Sequence, residues 1–250
     1  MHTIALYSIK GGVGKTAAVV NLAYLAANSG TQTLLIDLDP QSAASFYFRV
    51  RPSKKYDQNK LLKGGKAILK KIKASDYDNL DLLPADFSYR NLDISLDNKK
   101  KSTKRLKELI KSFKGEYELI FFDCPPNITL VSENVFIAAD IILLPIIPTV
   151  LSMRTYKKLL TFFKEEKFNS DKIYPFFSMV EMRKKMHKVL VEKTFSEKNN
   201  FLQNCIPYLS DVEKMGITRA PIVTTHPNCR ASLAYKALWI ELQKKILAVK

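Results

Sequence analysis

The chain has 250 residues, room for one substantial core but short for two ordinary domains. Hydrophobic residues make up 46% and charged residues 26%, a soluble globular balance, and no apolar run approaches the ~20 residues of a membrane-crossing helix. Lys and Arg total 40 against 24 Asp and Glu, a net charge of +16, which points to a polyanionic partner unless the lysines merely solvate the surface. The N-terminus, Met1-His2-Thr3-Ile4, shows neither a basic leader segment nor a cleavage site, so a cytoplasmic protein is expected. Cys124, Cys205 and Cys229 are too widely spaced for a disulfide framework or a zinc site.

In chain order, Thr3–Ser8 reads as a buried strand, followed by a Gly-rich turn at 11–14 and a helix over 15–28 that stops near Asn28-Ser29-Gly30. Thr33–Asp37 is a second strand and Leu80–Pro84 a third. Leu119–Asp123 is a fourth, Asp140–Pro145 a fifth and Ile173–Val180 a sixth, and Asn204–Pro207 is expected as a short seventh. Apolar strands alternating with helices imply an α/β fold: three layers, with a mostly parallel central sheet of about seven to eight strands between helices. The basic stretch Arg49–Lys73 reads as an insertion, and residues 1–250 as a single domain.

Three pieces of chemistry converge at the carboxyl ends of the strands, where open α/β sheets bind ligands. The first is Lys10-Gly11-Gly12-Val13-Gly14-Lys15-Thr16, between a strand and a helix. Glycines let successive N–H groups point inward, and with the positive helix end they form a phosphate cradle. Lys15 would reach the β/γ-phosphates and the Thr16 hydroxyl would bind Mg²⁺. The pattern is a variant P-loop, with Ile9 where the ordinary motif has glycine and an added lysine at position 10. The second is Asp123, placed to hold Mg²⁺ as a Walker-B acid does. The third is Asp37-Leu38-Asp39-Pro40-Gln41, whose two carboxylates lie on one side of an extended chain: one could support the metal shell and one could position the attacking water. The same sequence is also compatible with a plain Asx turn.

These residues resemble the ParA/MinD ATPases. Lys10–Thr16 is similar to that family's deviant Walker A motif, and Leu34–Gln41 to its second motif in the ParA form. Ile120–Pro126 is similar to its Walker B and switch segment. Ile206-Pro207, Arg219-Ala220-Pro221 and Ala234–Trp239 resemble the C-terminal part of short ParA-like proteins. The resemblance implies a slow Mg-dependent ATPase that works as a homodimer sandwiching ATP. Lys10 corresponds to the signature lysine that reaches the partner's nucleotide, and Asp39 to the water-activating aspartate. Asp37, Asp123 and Thr16 fall around Mg²⁺. Lys10, Gly11, Gly12, Val13, Gly14, Lys15, Thr16, Ala17 and Pro207 fall at the nucleotide.

Two departures stand out: Ala17 replaces a second Thr, and Ser8-Ile9 stands where Asn-Gln is common. The chain shows no extension before the first strand that would carry a helix-turn-helix domain. The ParA form implies non-specific DNA binding, nucleoid association, a ParB-like partner that stimulates hydrolysis, and a plasmid, chromosome or protein cargo. Candidate DNA contacts are Arg183, Lys184, Lys185 and Lys188, then Arg219 and Arg230; Lys54–Lys73 and Lys99–Lys114 are also basic. A MinD-like membrane-cycling ATPase is the alternative and would use Trp239–Lys250 as an amphipathic helix, although a packed last helix is the preferred reading and no stable membrane insertion is expected. A reductase resembling the nitrogenase iron protein would need two cluster-binding cysteines, which these three do not offer.

Overall fold

The apolar runs of the sequence become strands of one sheet covered on both faces. The computed structural model describes residues 1–53, 56–97, 102–197 and 200–248. The strands are β1 (His2–Leu6), β2 (Thr33–Asp37), β3 (Lys73–Ala74), β4 (Leu80–Leu83), β5 (Leu119–Asp123), β6 (Ile141–Ile146) and β7 (Ile173–Phe177). They form a seven-stranded sheet in the order β3-β4-β2-β5-β1-β6-β7. Every pairing is parallel except the edge pair β3–β4.

The period of two within the strands feeds two cores. Ile4, Leu6, Leu35, Leu82 and Phe121 face one layer, where α1 (Lys15–Asn28) packs. Ala5, Tyr7, Leu34, Ile36, Ile120 and Phe122 face the other. After α1 come α2 (Ala43–Tyr47), α3 (Arg105–Lys111), α4 (Leu130–Ala138), α5 (Val150–Glu165), α6 (Lys185–Ser196) and α7 (Arg230–Ala248), with further short helices between them. α3, α4 and α5 cover the second face, and α7 joins α1 on the first. The expected C-cap of α1 is present: Gly30 takes φ +89 and its N–H donates to the Ala27 carbonyl at 2.9 Å.

Two expectations at strand level are corrected. Asn204–Pro207 is not a seventh strand. It runs beside β7 and makes a single bridge, Val180 to Pro207, with a second, Phe176 to Leu202, just before it. Pro207 has no N–H for a ladder, and Glu241 of α7 takes the N–H groups of Gln203 and Asn204 instead. The seventh strand is β3, two exposed residues with no apolar signal. The sixth run also stops early, at Phe177, because the backbone turns at Met179, whose φ is +55.

The C-terminal segment lies in α7, with one face packed and Ile240 and Leu247 exposed. Trp239 and Leu242 are buried in the core beside α1 and are not on a free apolar face. Val249 and Lys250 of that segment, and Lys54 and Lys99 of the basic runs, lie outside the described residues. Among the described residues no helix is long and apolar enough to cross a membrane.

Candidate functional site

β1 and β5 are neighbours, and β5 also pairs with β2, with Asp37 in register with Asp123. All three strands point their carboxyl ends at one edge, so the Gly-rich loop, Asp39 and Asp123 meet there. The loop takes the form the glycines predict. Gly12 has φ +69, and Gly14, the N-cap of α1, has φ +86. A Cβ at Gly14 would stand 3.0 Å from Ser178 Oγ. Gly14 thus meets both a conformational and a spatial demand.

The Thr16 hydroxyl donates to Asp123 Oδ2 at 2.9 Å across 107 positions of sequence. Asp123 is fully buried, and its Oδ1 has no hydrogen-bond partner among the described residues. Burial, followed by the charge of Asp37, pushes the Asp123 carboxyl well above the usual carboxylate range, while Thr16 and the nearby Lys15 work against that rise. Lys15 is itself buried in the loop. A buried carboxylate with an orphaned oxygen beside a hydroxyl suits a hard divalent cation. Mg²⁺ in particular binds through one or two carboxylates and completes its shell with phosphates and water. Thr16 and Asp123 therefore fit the expected ion.

Asp37 stands differently. It is fully buried, and its Oδ2 accepts from the Ser45 N–H at 2.9 Å and the Ser45 hydroxyl at 2.7 Å. Its Oδ1 accepts from the Asp39 N–H at 3.2 Å. Burial raises its carboxyl to about 6, although these hydrogen bonds oppose the rise. Asp37 ties the Asp39 loop to α2. Asp39 is half-exposed, and its Oδ1 takes the Gln41 N–H at 2.9 Å in an Asx turn. The two carboxylates of Asp37-Leu38-Asp39 are therefore not equivalent: both oxygens of the buried Asp37 accept protein hydrogen bonds, while Asp39 is half-exposed.

Lys10 is half-buried at the loop entrance, where its N–H donates to Ser8 Oγ at 3.2 Å. Its side chain lines a groove with Val13, Ile146, Ser152 and Tyr156, on the side of the loop toward α5. On the opposite side, Gly14, Ala17 and Pro207 line a cleft with Ser178, Met179, Tyr208 and Tyr235. Ala17 and Pro207 are thus brought to one wall. Ser178, Met179 and Tyr208 escape the sequence reading, because no motif marks them, while Tyr235 reaches the cleft from α7.

The basic candidates are dispersed. Arg183, Lys184, Lys185 and Lys188 are exposed at the start of α6, at the same edge of the sheet. Lys184 pairs with Glu181, and Lys188 lies 3.9 Å from Glu192. Arg230 is exposed at the start of α7. Arg219 is half-buried: its guanidinium lies 4.5 Å over the Phe46 ring, and its Nε donates to the Phe46 carbonyl at 3.1 Å.

Fold and site together define a P-loop NTPase of the variant kind with an extra lysine ahead of the loop. Comparison with known proteins sharpens that class. A family model described as an AAA domain matches residues 1–173. A ParA family protein of Chlamydia muridarum (strain MoPn / Nigg) is 30% identical over 250 residues, covering 97% of this chain and 97% of that protein. The sporulation initiation inhibitor protein Soj of Bacillus subtilis (strain 168) is 27% identical over 256 residues, covering 98% of each. Among solved structures, a putative plasmid partition protein of Borrelia burgdorferi B31 bound to AMPPNP superposes with a TM-score of 0.80 at 23% identity. It covers 98% of this chain and 99% of that one, a likeness of fold. The chain belongs to the ParA/MinD family of P-loop ATPases.

Proposed function

We propose that this chain is a ParA-type ATPase that positions a plasmid, a chromosome or a protein cargo. It acts as one domain over residues 1–250, cytoplasmic and associated with the nucleoid. The observation that carries this reading is the loop Lys10–Thr16 with its threonine hydroxyl bound to Asp123 at the carboxyl edge of the sheet. The loop N–H groups and the α1 terminus hold the phosphates of ATP, with Lys15 over them. Thr16 and Asp123 hold Mg²⁺, which supplies charge neutralisation at the phosphates. Asp37 positions Asp39, whose free oxygen orients the attacking water. Gly14, Ala17 and Pro207 wall the nucleotide.

Lys10 acts in a homodimer bridged by ATP. Charge supplied from a partner subunit stabilises phosphoryl transfer as an arginine finger does. Large apolar side chains exposed on the loops and helix starts of that edge, Ile128, Val150, Leu151, Met182 and Met186, support a second copy facing the site. The ATP dimer binds DNA without sequence preference through Arg183, Lys184, Lys185, Lys188 and Arg230. A ParB-like partner stimulates hydrolysis and so releases the dimer. The Borrelia protein's name, a putative plasmid partition protein, and the ParA name of the Chlamydia relative support the partitioning context.

The test is duplex binding with ATP, with ADP and without nucleotide. Wild type binds with ATP only, Lys15→Ala loses binding, and Asp39→Ala prolongs it. Affinity falls steeply with salt as counterions are recaptured. Equal binding in all three nucleotide states would sink the switch.

A further inference from the structure

α7 has a second face that the nucleotide site does not use. Its inward residues Tyr235, Leu238, Trp239 and Leu242 are buried in the core shared with α1. On the opposite side Leu233, Ala237, Ile240, Lys244 and Leu247 follow one another at alternating spacings of four and three residues. That spacing draws one stripe along a helix, the geometry by which one helix seats against another. The three large members stand out into solvent: Leu233 is 53% exposed, Ile240 56% and Leu247 86%.

The charges beside the stripe share one sign. Arg230 and Lys236 flank it and Lys244 lies within it. None of the three forms an ion pair among the described residues. Lys236 Nζ donates to the Pro227 carbonyl at 2.9 Å. The only acid of α7, Glu241, is turned aside. It accepts from the N–H groups of Gln203 at 2.8 Å and Asn204 at 3.1 Å, and from Asn204 Nδ2 at 2.7 Å.

We propose that this face of α7 docks an acidic amphipathic helix of a partner protein. Leu233, Ala237, Ile240 and Leu247 form the apolar seam. Lys244 is the polar member that fixes register, as single polar residues do at such positions. Lys236 meets an acidic flank, and Arg230 is left to DNA. A second copy of this chain does not suit the face, because it would set the same cations against one another. A nucleic-acid backbone would use the cations and leave Leu233, Ile240 and Leu247 in water. A lipid surface wants its cations on the polar side of the helix, whereas Lys244 sits inside the apolar stripe.

The experiment uses the full chain and a labelled synthetic helix about three heptads long, with leucines at a and d and glutamates at e and g. The same helix with lysines at e and g, phosphatidylserine vesicles and a DNA duplex are the other arms. The glutamate helix should saturate the protein in an anisotropy titration at least roughly tenfold tighter than the lysine helix, a difference of about 1.4 kcal/mol. Ile240→Asp should weaken it by a similar factor, and Lys244→Glu should shift preference toward the lysine helix. Unchanged nucleotide affinity in both variants shows that they are folded and separates this surface from the ATPase reading. The proposal is overturned by equal binding of the two helices, by no saturable binding of the glutamate helix, by indifference to Ile240→Asp, or by vesicle or duplex binding that Ile240→Asp abolishes.

Discussion

Gly14 shows how much one residue can carry at this edge. It caps α1 in the left-handed region and leaves only 3.0 Å between a would-be Cβ and Ser178 Oγ. Gly14→Ala should cost about 1–2 kcal/mol in backbone strain, roughly 2–8 °C in Tm for a chain of this length. Adding Ser178→Ala should recover only the steric part, and full recovery in thermal unfolding would refute the conformational account. The two buried aspartates make a second prediction. Asp37 binds its proton more tightly in the folded protein, at about 6, than at the ordinary value of 3.8, and Asp123 is raised in the same sense. Between those values the native state holds protons that the unfolded chain has lost. The contribution of these two carboxyls to stability without nucleotide and in EDTA should therefore be fully present below that window and be lost as pH rises through it. Asp37→Asn should flatten the slope in denaturant titrations at pH 4 to 7, and an unchanged slope would argue against the assignment.

At the level of elements, α2 links the Asp39 loop to the segment before α7. Asp37 holds Ser45 of α2 from one side. Arg219 lies over Phe46 and bonds its carbonyl from the other, and Arg49 Nε donates to the Arg219 carbonyl at 3.3 Å. Arg219→Ala should cost about 1 kcal/mol, with a positive coupling to Phe46→Ala in a double-mutant cycle. Loss of DNA binding without loss of stability would instead restore Arg219 as a DNA contact. The same elements show what sequence makes legible. β2 and β5 announce themselves because a strand buried on both faces must be apolar throughout, and Asp37 and Asp123 mark their ends. β3 does not, because two exposed residues at an antiparallel edge need no apolar signal. The 204–207 run misleads for the opposite reason: it is apolar enough to lie against β7, but Pro207 and the hold of Glu241 deny it a ladder. The loop Lys10–Thr16 is readable because phosphate binding constrains residue type, spacing and flanking elements together. The nonequivalence of Asp37 and Asp39 is not, since it depends on where Ser45 lies eight residues on.

At the scale of the whole molecule, the sheet gathers its chemistry at one edge and leaves that edge apolar, basic and open. Phosphate-binding groups, Asp39 and the start of α6 all lie there, while α7 packs across the layer on α1 with its own outward face. Under the proposed function a second copy would face this edge across the nucleotide, and Lys10 at the loop entrance would be the residue that makes such a copy catalytic. The most direct measurement is the mass in solution, by sedimentation velocity, of Asp39→Ala and of Asp39→Ala/Lys10→Ala with ATP and with ADP. The account predicts that Asp39→Ala is a dimer with ATP and a monomer with ADP, and that adding Lys10→Ala leaves it monomeric in both. A double variant that dimerises with ATP as fully as Asp39→Ala would contradict it.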